Sequence, residues 1–171
     1  MVANEMNMSD KGGQVNAERA DDVTSMLNRN STKRSAPRPV QPAHQLRVLL
    51  IEDSPIIRSR LVEALSEIPN VEVTGQAENE SDALVLLRQH KWDAVVLDLQ
   101  LRGGTGLGVL KGIGGTRSPG AKVIVFTNYA FPQYRDRSLS LGADYFFDKA
   151  REFHRVREVL QDMAKETSGL H

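Results

Sequence analysis

Polar residues capable of chemistry stand at the ends of four short apolar runs: Glu52, Asp53, Asp98, Thr127 and Lys149. Asp98 follows a strand predicted from Trp92 to Leu97, and its apolar character is typical of a parallel strand covered on both faces. An unpaired charge at the end of a buried strand is costly, so Asp98 is expected to have a partner or a chemical task.

The three carboxylates among these residues favour a bound cation. If the strands are parallel, their carboxyl ends lie at one edge of the sheet, where Glu52, Asp53 and Asp98 would repel each other. A hard divalent ion with oxygen ligands relieves this repulsion, so the residues predict Mg²⁺, with Mn²⁺ as the alternative. The absence of Cys, and of His near these positions, argues against zinc.

Each residue alone also has a structural explanation. Glu52 and Asp53 resemble the acidic residues that cap helices after a strand, and Thr127 or Lys149 alone indicates nothing. The specificity of the prediction lies in finding all five residue types at the ends of successive strands.

The hydrophobic pattern predicts five strands that alternate with five helices. The predicted strands are 46–51, 71–77, 92–97, 121–126 and 143–147, and the predicted helices begin near residues 55, 80, 107, 132 and 151. Ser54 and Pro55 suit the N-cap and first position of the first helix. This alternation predicts an α/β fold with a parallel sheet and helices on both faces.

Composition sets the broad class. The 171 residues carry no net charge, 40% are hydrophobic and 26% are charged, which is typical of a soluble globular protein. The balanced charge argues against direct nucleic-acid binding, and no segment predicts a membrane span or signal peptide. With no cysteine, a cytoplasmic location is expected. We predict a disordered N-terminal tail over 1–45, one domain over 46–166 and a short C-terminal tail over 167–171.

Four motifs together resemble the receiver domain of bacterial two-component response regulators. They are LLIEDS at 49–54, VVLD at 95–98, FT at 126–127 and GADYFFDK at 142–149. The resemblance implies a flavodoxin-like (βα)5 fold with strand order 2-1-3-4-5, the order found in flavodoxin and in a chemotaxis receiver.

The resemblance also implies a role for each site residue. Asp98 would accept a phosphoryl group as nucleophile. Glu52, Asp53, Asp98 and the backbone carbonyl of Gln100 would hold Mg²⁺. The phosphoryl group would be bound by Thr127, Lys149 and the backbone N–H of Asn128, and Phe146 would rotate inward as Thr127 moves.

The implied partners are a sensor histidine kinase or histidine phosphotransfer protein and an unidentified downstream protein. Ile57 and Arg58 are predicted to meet the histidine-bearing partner. Tyr134 and Arg155 are candidates on the surface formed by the fourth helix, fifth strand and fifth helix. We expect a non-enzymatic, stand-alone receiver that is monomeric or weakly dimeric. The alternatives are a receiver-like interaction module that is never phosphorylated and a Mg²⁺-dependent phosphatase with an Asp nucleophile.

Overall fold

The structure, a computed structural model, describes residues 44–169. Nearly all of the predicted N-terminal tail and the last two residues lie outside the described part, so the predicted domain limits stay predictions. Within residues 44–169, no helix combines the length and apolar character needed to cross a membrane.

Five parallel strands form one sheet in the order β2-β1-β3-β4-β5. The strands are β1 (Leu46–Ile51), β2 (Val71–Ala77), β3 (Ala94–Leu97), β4 (Lys122–Thr127) and β5 (Tyr145–Asp148). The predicted flavodoxin-like fold and strand order are confirmed. The strand order reverses between β1 and β3, which is where open α/β sheets place their ligands.

Five helices follow the strands: α1 (Pro55–Ser66), α2 (Glu80–Gln89), α3 (Gly106–Ile113), α4 (Pro132–Ser140) and α5 (Phe153–Thr167). The helices cover both faces of the sheet. Residues of α2 and α3 belong to the buried cluster on one face, and residues of α1 and α5 belong to the cluster on the other. Ser54 is the N-cap of α1, and its hydroxyl accepts a hydrogen bond from the N–H of Ile57. Asn79 caps α2 in the same way.

Two strands begin two residues later than predicted, and an aspartate precedes each of them. The Asp93 carboxylate accepts a hydrogen bond from the N–H of Arg47 at 2.7 Å, and the Asp144 carboxylate accepts one from the N–H of Val123, also at 2.7 Å. At each position a carboxylate, and not a backbone carbonyl, accepts the N–H of the neighbouring strand, and the regular strand begins at the residue after the aspartate.

Trp92, the single tryptophan, lies just before β3 and is 4% exposed. Its indole N–H donates to the Leu86 carbonyl at 3.1 Å. The ring lies against Gly75 in β2, where a Cβ atom would overlap it. The glycine therefore makes room for the indole in the core on this side of the sheet.

Candidate functional site

The strand register brings Glu52 and Asp98 together at the carboxyl edge of the sheet. Ile51 pairs with Leu97, so the residues that follow them are neighbours. The Asp98 N–H also donates to the Ile51 carbonyl at 2.9 Å. Both side chains are buried, with 2% of Glu52 and 7% of Asp98 exposed.

Lys149 approaches the same site from β5, which is the edge strand at the opposite end of the sheet from β2. It follows β5, and its N–H donates to the carbonyl of Thr127 at 3.0 Å. Its Nζ lies 2.5 Å from Glu52 Oε2 and 2.6 Å from Asp98 Oδ2, and its side chain is 5% exposed. A buried ammonium therefore bridges two buried carboxylates, which offsets part of the cost of removing their charges from water.

The third carboxylate, that of half-buried Asp53, completes an acidic cluster. One carboxylate oxygen from each of Glu52, Asp53 and Asp98 lies within 4.8 Å of the other two. Burial raises the pKa of the Glu52 carboxyl above its ordinary value, while the hydrogen bond from Lys149 opposes that rise. Closely spaced carboxylate oxygens with more negative than positive charge fit a hard divalent cation such as Mg²⁺.

The loop after Asp98 keeps close to the site. The Gln100 N–H donates to Asp98 Oδ1 at 3.3 Å, and Gln100 forms an isolated antiparallel bridge with Thr105. Gly106 begins α3 against the backbone of Asp98 and Leu99, where a Cβ atom would overlap main-chain atoms. Glycine thus permits the tight return of the loop that carries Gln100.

Thr127 is the last residue of β4 and is fully buried. Its hydroxyl oxygen accepts a hydrogen bond from the N–H of Tyr129 at 3.1 Å. Asn128, between them, is exposed. Thr127 pairs with Asp148, the residue before Lys149, so the hydroxyl and the ammonium come from neighbouring strands.

Phe146 lies inside the protein, with 3% of its surface exposed. Its ring belongs to the buried cluster that contains Val125. Arg135 of α4 covers it from outside: the guanidinium carbon is 5.4 Å from the ring centroid, and Nη1 donates to the Phe146 carbonyl at 3.1 Å. The structure therefore describes the inward position of the aromatic side chain that was predicted to move.

Both predicted docking residues of α1 are half-buried. Ile57 is half-buried and packs against the core. Arg58 donates to the Glu52 carbonyl and to Glu78 Oε1, both at 2.7 Å, and its side chain is only 16% exposed. Ile56, which the sequence analysis did not select, is 74% exposed. Ile56 lies off the helical stripe formed by Ile57, Leu61 and Leu65, a spacing that is visible in the sequence.

The two other docking candidates lie on α4 and α5. Tyr134 is half-buried, and its ring lies 6.2 Å from that of Tyr129 and 6.4 Å from that of Phe131. Arg155 is 48% exposed, lies 5.0 Å from the Phe147 ring centroid, and pairs with Glu152, the N-cap of α5, at 3.5 Å and with Glu158 at 3.7 Å. Tyr134 thus contributes to packing, while Arg155 presents charge to solvent.

The sequence matches known proteins over this fold. The family model of the response regulator receiver domain matches residues 48–161. Protein-glutamate methylesterase/protein-glutamine glutaminase 1 of Methanospirillum hungatei is 32% identical over 117 residues, which are 67% of this chain and 34% of that protein. Response regulator GacA of Pseudomonas aeruginosa is 27% identical over 69% of this chain and 55% of its own length. The chain spans between a third and just over half of these relatives.

Solved structures of response regulators superpose on most of this chain. The receiver domain of NarL from Mycobacterium tuberculosis superposes with a TM-score of 0.64 at 27% identity, over 71% of this chain and 98% of that one. A Burkholderia pseudomallei response regulator, solved with a phosphorylated aspartic acid and a calcium ion, gives 0.61 at 25% identity over 72% and 71% of the two chains. The chain belongs to the response regulator receiver domain family.

Proposed function

We propose that the protein accepts a phosphoryl group on Asp98 from a histidine kinase or a histidine phosphotransfer protein, and that this changes its contacts with a downstream protein. The observation that carries the proposal is the convergence of the three carboxylates with Lys149 at the switch point of the sheet, with Thr127 at the end of the strand next to β5. Family membership and the Burkholderia structure with its phosphorylated aspartic acid add support.

In the proposed reaction, a carboxylate oxygen of Asp98 attacks the phosphorus of the donor. The bond between phosphorus and the donor atom breaks, and the donor leaves with that electron pair, as a histidine imidazole or, for acetyl phosphate, as acetate. Mg²⁺ or Mn²⁺ held by Glu52, Asp53, Asp98 and the Gln100 carbonyl would offset negative charge on the transferring group. Lys149 Nζ provides a fixed positive charge beside the nucleophile.

The acetyl phosphate assay tests this proposal. Incubation of the chain with acetyl phosphate and Mg²⁺ is expected to add about 80 Da to the intact mass, the mass of one phosphoryl group. Chelation of the metal with EDTA should prevent the addition. A chain that binds Mg²⁺ but gains no mass would instead support the interaction module that is never phosphorylated.

Thr127 would connect the phosphoryl group to the surface of α4, β5 and α5, which holds Tyr134 and Arg155. The Thr127 hydroxyl would donate its O–H to a phosphoryl oxygen while its own oxygen still accepts from the N–H of Tyr129, and the N–H of Asn128 would offer the phosphoryl group another donor. The change at Thr127 would then shift the balance between inward and outward Phe146 and so alter the contact that Arg135 makes with it.

Thr127→Ala should therefore separate phosphorylation from the conformational response. The variant is expected to gain the phosphoryl mass but to lose the phosphorylation-dependent shifts of the Phe146 and Arg135 amide signals in ¹H–¹⁵N spectra. Thr116→Ala, a change in the loop after α3, is the control and should leave those shifts intact. If phosphorylated Thr127→Ala still showed these shifts of the Phe146 and Arg135 signals, the coupling through Thr127 would be contradicted.

Docking of the histidine-bearing partner would use the start of α1. Exposed Ile56 would supply the apolar contact there, next to the predicted Ile57. Arg58 would hold the segment after β1 in place through its hydrogen bond to the Glu52 carbonyl. This chain covers 34% of the Methanospirillum methylesterase and matches the receiver-domain model over residues 48–161, so we propose that this part of the chain acts as a receiver and not as a methylesterase. Association as a monomer or weak dimer, without direct nucleic-acid binding, is part of the same proposal.

A further inference from the structure

Glu80, the first residue of α2, lies outside the acidic cluster but is bonded to the loop that carries Gln100. Its Oε2 accepts a hydrogen bond from the N–H of Thr105 at 2.8 Å, and its own N–H donates to the carbonyl of Gly103 at 2.8 Å. One residue of α2 therefore holds the loop between β3 and α3 by both its backbone and its side chain.

Two glycines create the space for this carboxylate. A Cβ atom at Gly104 or at Gly108 would overlap the Glu80 side chain. Gly104 also has a φ of +80°, in the left-handed region that glycine enters without strain. The carboxylate lies at the N-terminus of α3, where the N–H groups and the helix dipole favour a negative charge.

Thr105 links this contact to Gln100, whose carbonyl is the proposed metal ligand. Thr105 caps α3, since its hydroxyl accepts from the N–H of Gly108 at 3.0 Å, and it forms the antiparallel bridge with Gln100. Gln100 in turn donates to the Asp98 carboxylate. The path from Glu80 to the Asp98 carboxylate therefore runs through the hydrogen bond to Thr105, the backbone bridge to Gln100 and the hydrogen bond from Gln100.

We infer that Glu80 is a positioning residue for the metal site, which acts by holding Thr105 and thereby orienting the backbone carbonyl of Gln100. This inference rests on the proposed function, in which that carbonyl is a metal ligand. Without Glu80, the N–H of Thr105 loses its acceptor and the glycine-containing loop gains freedom. Metal binding must then order the loop, which weakens affinity.

The test compares three variants in the full chain. Glu80→Ala removes the acceptor, whereas Glu80→Gln keeps an amide oxygen that can still accept from Thr105. Asp82→Ala is the matched control, because Asp82 is the other acidic residue in the first turn of α2 and bonds to Asn79. A loss of helix stability alone would affect Glu80→Ala and Asp82→Ala alike.

The measurements are the Mg²⁺ dissociation constant by calorimetry and the amide hydrogen exchange of Thr105 without metal. We expect Glu80→Ala to bind Mg²⁺ about tenfold more weakly, at the low end for residues that orient metal ligands, and to exchange Thr105 faster. Glu80→Gln should restore most of both properties, and Asp82→Ala should change neither.

Normal Mg²⁺ affinity in Glu80→Ala, or equal weakening in Asp82→Ala, would overturn the positioning role while leaving the proposed function in place. Failure of the unaltered chain to bind Mg²⁺ would overturn the proposed function together with this inference. The two failures are therefore distinguishable by the behaviour of the unaltered chain.

Discussion

Replacing Asp98 by asparagine is expected to abolish phosphoryl transfer to the protein. The amide has nearly the shape of the carboxylate but lacks its negative charge and its nucleophilic oxygen. With acetyl phosphate and Mg²⁺, the mass increase of about 80 Da should disappear. Loss of the Asp98 charge should leave the protein folded, because it reduces the repulsion among the carboxylates and Lys149 keeps Glu52 as its partner, as circular dichroism can check.

Asp53→Asn is the matched control for Asp98→Asn. It removes one carboxylate of the same cluster without touching the nucleophile. We expect at least a tenfold loss of Mg²⁺ affinity, because even indirect partners of metal ligands contribute about 10–100-fold. The mass increase should return at high Mg²⁺. Phosphorylation of Asp98→Asn at the rate of the unaltered chain would show that another residue is the acceptor.

Lys149→Gln is expected to give the largest loss of stability among the site variants in metal-free buffer. The change removes the cation that bridges Glu52 and Asp98 and leaves buried carboxylates unpaired. Breaking a buried ion pair from one side costs about 3–5 kcal/mol, so urea unfolding at about pH 8 should show a loss near the low end. Added Mg²⁺ at 100 times its dissociation constant should restore about 2.7 kcal/mol.

The pH dependence of Lys149→Gln has a defined sign. Burial raises the pKa of Glu52, so the folded state binds a proton more tightly than the unfolded state does. The variant should therefore become more stable as the pH falls from about 8 towards the ordinary pKa of a glutamate.

Lys165→Gln is the control for the loss of stability. It removes an exposed ion pair to Asp162 and should cost less than about 1 kcal/mol. Equal losses in the two variants would contradict the bridging role.

The site could be predicted from the sequence because parallel strands place their carboxyl ends at one edge of the sheet, and this rule needs only the order of the elements. Apolar runs followed by Glu52, Asp98 and Lys149 identify where strands stop, and parallel pairing brings those ends together. The structure places the residues of the cluster accordingly. Their assignment to phosphoryl and metal binding remains the proposal.

Contacts between loops were outside the reach of that rule. The sequence did not predict that Arg58 donates hydrogen bonds to the Glu52 carbonyl and to Glu78, and its contact with a partner stays a prediction. The role of Glu80 likewise depends on how closely the loop at Gly104 approaches α2. Such approaches are set by packing between segments far apart in sequence, which neither periodicity nor local propensity reports.

The position of Trp92 decides which spectroscopic signals can follow this protein. The indole lies in the core before β3, six positions ahead of Asp98, or about 20 Å along an extended strand. Intrinsic tryptophan fluorescence should therefore report the loss of the core on unfolding and respond little to events at Asp98. The single tryptophan thus supplies a stability probe that is separate from metal and phosphoryl binding.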